Sequence, residues 1–336
     1  MKAWRITAPE TLEQVDLPSE ETGPKEVKIK VGYGLISHPD VQTYLGSDKA
    51  VLPVVPGGSC SGMVVEVGSE VTEVSRGDRV FIHPQKLCGE CSDCREGKGN
   101  CANVEYYGIT RNGFMRDFAV VGERDCIKIP DRIPGKETVF LDYIALAVST
   151  IEALKVKKGE HLVISGASTL GIILGQVALY YQAVPVLVDS NDDYLAMAEE
   201  TGIYYTANTT KNAHDKIFHI TGGKMVECVA HIATGGIDVG QSIDLAGRGG
   251  RVAIVGRYGA EYSLDCSLLP VIERNIGIIG VSHGIGSTRI AINMLANKAI
   301  KVDKLISREV GFADVPEVLK TNAVSREHLK TVISFG

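Results

Sequence analysis

The chain has 336 residues, 44% of them hydrophobic and 23% charged, a globular composition too long for one ordinary core of about 100 to 200 residues, so two domains are expected. A formal charge of −6, with lysines and arginines scattered among acids, supplies no basic stripe for a nucleic-acid backbone. The opening Met-Lys-Ala-Trp-Arg-Ile has no signal-like apolar run, and the stretch 139–154 is broken by Asp142 and Glu152 and falls short of the roughly 20 residues of a membrane span; a cytoplasmic protein without membrane or nucleic-acid partners is expected.

Short apolar runs at 27–31, 63–67 and 79–82, set off by turns such as Gly57-Gly58 and Gly77-Asp78, predict a β-rich first part. Cys88, Cys91, Cys94 and Cys101 follow with C-x2-C-x2-C-x6-C spacing, and loops this short can bring four sulfurs to roughly 2.3 Å from one tetrahedral zinc. A closed all-sulfur shell leaves no position for water or substrate, so one structural Zn2+ per chain is expected. Cys60, Cys126, Cys228 and Cys266 stand singly among apolar residues and read as core.

From about residue 150 the pattern becomes strand, glycine turn, helix, strand: 161–165, 166–171, 172–182 and 184–188. That is a βαβ unit. Further buried-strand runs at 225–230 and 251–255 extend it to a doubly wound parallel sheet. The turn Gly166-Ala-Ser168-Thr169-Leu170-Gly171 opens a helix, where backbone N–H groups and the helix dipole can hold a pyrophosphate. Ser168 replaces the middle glycine of G-x-G-x-x-G, so the motif is imperfect. Asp189 ends the next strand, where an acid can accept hydrogen bonds from the adenosine ribose. Ser190 and Asn191 follow, with no cation for a 2′-phosphate, so NAD is favoured over NADP. Helices are expected at 289–296 and 315–321.

These features, with Lys2-Ala-Trp4, Gly62-Met-Val-Val-Glu-Val-Gly68, Gly77-Asp78-Arg79-Val80 and Gly249-Gly-Arg-Val-Ala-Ile-Val-Gly256, resemble the zinc-type alcohol dehydrogenases of the medium-chain dehydrogenase/reductase superfamily, in particular the polyol and threonine dehydrogenase branch. The resemblance runs nearly end to end. It implies an α/β fold in which a GroES-like β-rich catalytic domain (1–148 and 285–336) carries the zinc lobe (88–101), beside a Rossmann NAD-binding domain (149–284). It also implies an NAD(P)-dependent dehydrogenase, a small-molecule substrate and a homodimer or homotetramer. Thr150 matches a threonine that packs against the nicotinamide; a helix-interior threonine bonding to the preceding turn is its plainer reading.

The chain departs from the family at the catalytic metal. Ser37 stands for the first cysteine ligand, Gly57-Gly58-Ser59 for Gly-His-Glu, and the downstream ligand position falls near Ala145 or Leu146. Serine, glycine and aliphatic side chains do not replace thiolate, imidazole and carboxylate, so no catalytic zinc is expected. A proton donor must then act as the hydride moves. Tyr44, which matches a polyol-pocket tyrosine, is the first candidate, with Ser37, His38 and Asp40 beside it; His38 matches a position that touches the cofactor phosphates. A metal site shifted onto His38, Asp40 and Cys60 is a remote alternative. Reduction of an α,β-unsaturated carbonyl, or NAD binding without catalysis, also remains open.

Overall fold

The computed structural model describes residues 1–46, 50–97, 99–232, 237–256, 266–324 and 330–336. They form two compact units, 1–142 with 305–336 and 143–304.

The first unit is built on a seven-stranded sheet. Its order runs Ile306–Gly311, Lys330–Ser334, Glu26–Leu35, Cys60–Val67, Arg79–Ile82, Cys126–Lys128, with Phe118–Gly122 also pairing with Glu26–Leu35. Alternation along Glu26–Leu35 sends Val27, Ile29 and Val31 inward, where they meet Val64, Val80, Ile82 and Phe114, as a strand with one buried face requires. Three strands are in register, with Gly34 opposite Cys60 and Cys60 opposite Ile82. Ser37, Gly58 and His83 therefore leave the sheet at the same end.

The second unit is a six-stranded, all-parallel sheet. Its order is Tyr205–Asn208, Val184–Asp189, His161–Ser165, Val226–Ile232, Ala246–Val255, Gly277–Val281. Numbered along the chain, this is 3-2-1-4-5-6, the doubly wound order. Leu162, Val163 and Ile164 have no solvent exposure, as expected of a central strand covered on both faces. The strands of the sequence reading extend by a few residues, and the first helix starts inside the glycine turn, at Thr169.

The tail divides differently from the sequence expectation, which places all of 285–336 in the first domain. Residues up to 304 pack with the second unit. Gln176 brackets Lys301, donating to its carbonyl at 3.1 Å and accepting from its N–H at 2.8 Å. Ser287 bonds Ser149 and Glu152 at 2.9 and 3.0 Å. The first boundary also moves, from 148 to 142, into the start of the helix Leu141–Ala153.

The strand order reverses between His161–Ser165 and Val226–Ile232, the position where open α/β sheets place ligands. There Nδ1 of His231 bonds the hydroxyls of Ser165 and Ser242 at 3.1 and 2.8 Å. Burial holds this imidazole below the usual histidine range, so it is neutral in the folded chain. The unfolded chain takes up a proton near about pH 6.5, so stability falls as pH drops through that value. In melting curves from about pH 7.5 down to 5.5, His231→Gln is expected to lose stability less steeply than wild type; equal slopes would acquit His231.

Candidate functional site

The glycine turn of the second unit is shaped by close approach. Gly166 has φ +109, in the left-handed half of the map that glycine enters without strain. A Cβ on Gly171 would lie 1.8 Å from the Gly166 carbonyl oxygen, so the helix can start this near the strand only with glycine there. Ser168 caps the helix Thr169–Tyr180, accepting the Gly171 N–H at 3.5 Å. Asp189, 1% exposed, accepts the Ala167 N–H at 2.8 Å and the Asn191 N–H at 3.0 Å. Its carboxylate thus grips the phosphate turn itself, a contact the motif does not reveal. Each carboxylate oxygen retains a second lone pair that a ribose hydroxyl can use. Leu170 lines the same first turn of the helix. Thr150 is fully buried and its hydroxyl donates to the Leu146 carbonyl at 2.8 Å, back-bonding within its own helix.

In the first unit, the ends of the cysteine lobe are clasped by Gln85–Lys86 pairing with Glu105–Tyr106. The Sγ atoms of Cys88, Cys91, Cys94 and Cys101 all lie within 4.8 Å of one another, with Cys88 to Cys94 at 3.8 Å. A tetrahedral zinc with bonds of roughly 2.3 Å sets its sulfurs roughly 3.8 Å apart, so the donor set fits. Backbone N–H groups at Glu90 and Cys91 draw the Cys88 thiol down to about 6, whereas desolvation and the neighbouring sulfurs push Cys94 up to about 12, so it is the donor geometry that carries the site. Among the described residues this is the one cluster suited to a metal. The shifted alternative is not assembled: His38 is exposed, whereas Asp40 and Cys60 are buried.

The proton-donor candidates separate. Asp40, 1% exposed, accepts the Ser37 N–H at 2.8 Å, the Ser37 hydroxyl at 2.6 Å and the Gly57 N–H at 2.7 Å. Burial raises its carboxyl above the usual range, opposed by these donors. Ser37 and Asp40 are thereby tied into the cap of the helix His38–Tyr44 and the turn at Gly57. Tyr44 is 5% exposed, packed with Ala3, Ile6, Val54 and Met115.

The structure brings forward two residues that motif reasoning missed. Nδ1 of His83 lies 3.4 Å from Oδ1 of Asp142, and both side chains are buried. The edge of the Phe81 ring system meets His83, with centroids 5.0 Å apart. Asp142 sits in the first turn of the helix Leu141–Ala153, where the helix dipole favours an anion. Ala145 and Leu146, by contrast, are apolar and buried, so the polar group of this segment stands three residues earlier than the sequence reading looked. The signal was the acid interrupting an apolar run. On the neighbouring turn, a Cβ added to Gly58 would lie 3.2 Å from Pro84 Cβ.

Residues 23–131 match the alcohol dehydrogenase GroES-like domain and 169–297 the zinc-binding dehydrogenase domain. An L-threonine 3-dehydrogenase of Chelativorans is 30% identical over 285 residues, 79% of each chain. A zinc-type alcohol dehydrogenase-like protein of Haemophilus influenzae is 28% identical over 95% of this chain and 94% of its own. The crystal structure of a protein described as a zinc-binding dehydrogenase of Sinorhizobium meliloti, bound to NADP, superposes with a TM-score of 0.90 at 25% identity, covering 99% of this chain and 98% of that one. A GroES-like β domain joined to a doubly wound dinucleotide-type domain defines the medium-chain dehydrogenases and reductases. The chain belongs to their zinc-type alcohol dehydrogenase family and is an oxidoreductase of that kind.

Metal analysis of purified protein is expected to return one zinc per chain. Cys94→Ser is expected to release it and lower the melting temperature by about 5 °C or more; a metal-free protein of unchanged stability would contradict the site.

Proposed function

We propose that the protein is an NAD(H)-dependent dehydrogenase acting on a small alcohol or its carbonyl partner, with one structural zinc on Cys88, Cys91, Cys94 and Cys101 and no catalytic zinc. The observation that carries the proposal is the turn from Gly166 to Gly171, drawn tight against its strand and gripped by Asp189. Main-chain amides of Ser168, Thr169 and Leu170, in a turn shaped by Gly166 and Gly171, hold the cofactor diphosphate, Asp189 the adenosine ribose, and Thr150 stands near the nicotinamide. When bound, the nicotinamide gives or accepts hydride. A small organic substrate is the only other partner the reaction requires.

NAD is preferred to NADP, although the Sinorhizobium meliloti neighbour holds NADP. A 2′-phosphate would meet the buried Asp189 carboxylate, and the nearby Lys211 is engaged with Asp192 at 2.5 Å. The absence of a catalytic zinc rests on donor chemistry. Ser37 offers a hydroxyl that donates to Asp40, Gly58 offers no side chain and Ser59 another neutral hydroxyl, none of which matches zinc's preferred donors.

A homodimer or homotetramer assembled through Gly277–Val281 is part of the same reading. Among the described residues this strand ends its sheet, and Ile278 and Ile279 remain 40% and 43% exposed. An apolar sheet edge invites pairing with a twofold copy of itself. Among the described residues no helix is long and apolar enough to cross a membrane, and a reduced four-cysteine lobe suits a reducing compartment such as the cytoplasm.

In fluorescence titrations, NADH is expected to bind about tenfold or more tighter than NADPH, and Asp189→Asn to weaken NADH by about tenfold. Lack of binding by either dinucleotide would overturn the assignment. In sedimentation, wild type is expected at dimer mass or a multiple of it and Ile279→Lys at lower mass; a wild-type monomer would remove the edge-strand interface.

A further inference from the structure

The two nicotinamide dinucleotides differ by one group, a phosphate on the adenosine 2′ oxygen, which adds about −1.5 to −2 of charge near neutral pH. Discrimination is therefore decided where the adenosine ribose sits, at the carboxyl ends of the strands Val184–Asp189 and Tyr205–Asn208 of the second unit. These strands run parallel with Asp189 opposite Asn208. The Thr209 N–H closes the edge, donating to the Asp189 carbonyl at 2.9 Å. The loop after Asp189 and the loop after Asn208 thus form one shelf.

Asn208 ties the two loops together. Its Oδ1 accepts the Thr210 N–H at 2.9 Å and the Thr210 hydroxyl at 2.7 Å. That fixes the amide so that Nδ2 donates to the Ser190 carbonyl at 3.1 Å and to Oδ1 of Asp192 at 2.7 Å. The other Asp192 oxygen takes Nζ of Lys211 at 2.5 Å. These donors, Lys211 foremost and then Asn208, hold the Asp192 carboxyl below its usual range, so it stays ionised through neutral pH. The Lys211 and Asp192 side chains are 65% and 62% exposed. An ion pair that open adds little to folding, and its main effect is to fix where the Lys211 charge sits.

Building on the NAD(H) reading above, we propose that Asp192 is a specificity-determining residue: by holding Lys211 it shuts a latent site for a 2′-phosphorylated adenosine ribose. With Asp192 ionised, a 2′-phosphate beside Asp189 meets two carboxylates, and the lysine of the shelf is already committed to one of them. With residue 192 neutral, Lys211 is released at the same edge. Its flexible four-carbon stem then lets the ammonium turn toward the phosphate as a point charge. Selectivity is thus divided between two acids. The buried Asp189 fixes the ribose, whereas the exposed Asp192 sets the charge that the 2′ position faces.

The test uses full-length, zinc-loaded protein in fluorescence titrations with NADH and NADPH. Asp192→Asn keeps an oxygen for the Asn208 amide and removes the charge that holds Lys211. It is expected to tighten NADPH binding by about fivefold or more while NADH stays within about twofold of wild type. The double variant Asp192→Asn with Lys211→Met is expected to lose that gain. Raising the salt to about 0.5 M is expected to shrink it, because the new contact is exposed. An unchanged NADPH-to-NADH ratio in Asp192→Asn, or a gain that survives the loss of Lys211, would overturn the proposal while leaving the cofactor reading in place. Failure of wild type to bind either dinucleotide would strike the cofactor reading itself, and this proposal with it.

Discussion

The grip of Asp189 on the Ala167 and Asn191 amides is the contact on which the second unit's chemistry depends. One buried carboxylate joins the end of a strand to the loop that follows its neighbour, and the helix behind that loop can begin only because Gly171 lacks a side chain. A buried acid satisfied by backbone donors is rigid. A rigid turn presents its amides at a fixed spacing, which is what a diphosphate needs from a protein without a cation in the loop. The substitution of Ser168 for the usual glycine is tolerated because its side chain faces its own helix as a cap.

The first unit reaches a comparable order by other means. Its sheet aligns three strand ends, and the polar groups there are divided between two jobs. Ser37, Asp40 and Gly57 form a closed hydrogen-bonded set that fixes the turn. His83 and Asp142 stand as a separate buried pair. The four-cysteine lobe lies outside this division, its loop ends clasped by a short hairpin.

Much of this was legible from residues alone. Cysteine spacing located the sulfur cluster because short loops leave few ways to arrange four thiols. The βαβ pattern and the central strands of both units followed from apolar periodicity, whereas edge strands such as Tyr205–Asn208 and Gly277–Val281 did not. Less was legible where contact, not pattern, decides. Tyr44 reads as a polar pocket residue, yet its ring fills a core built from strands distant in sequence. Thr150 carries two readings, a nicotinamide contact and a helix-interior threonine, and its hydroxyl makes the bond one turn back that the second describes. Asp142 was visible only as an interruption in an apolar run, because its partner His83 lies 59 positions upstream. The residues flanking the tail helix Thr288–Ala296 join the second unit, Ser287 bonding Ser149 and Lys301 bonding Gln176, none of which marks itself by spacing.

The tight seat of Gly58 against Pro84 bears on what this position can hold. A side chain there would have to push Pro84 aside by a few tenths of an ångström, and Pro84 is joined directly to the buried His83. Engineering an imidazole or thiol into this turn thus asks for repacking around the His83–Asp142 pair, so any metal affinity gained there would come with a loss of local order.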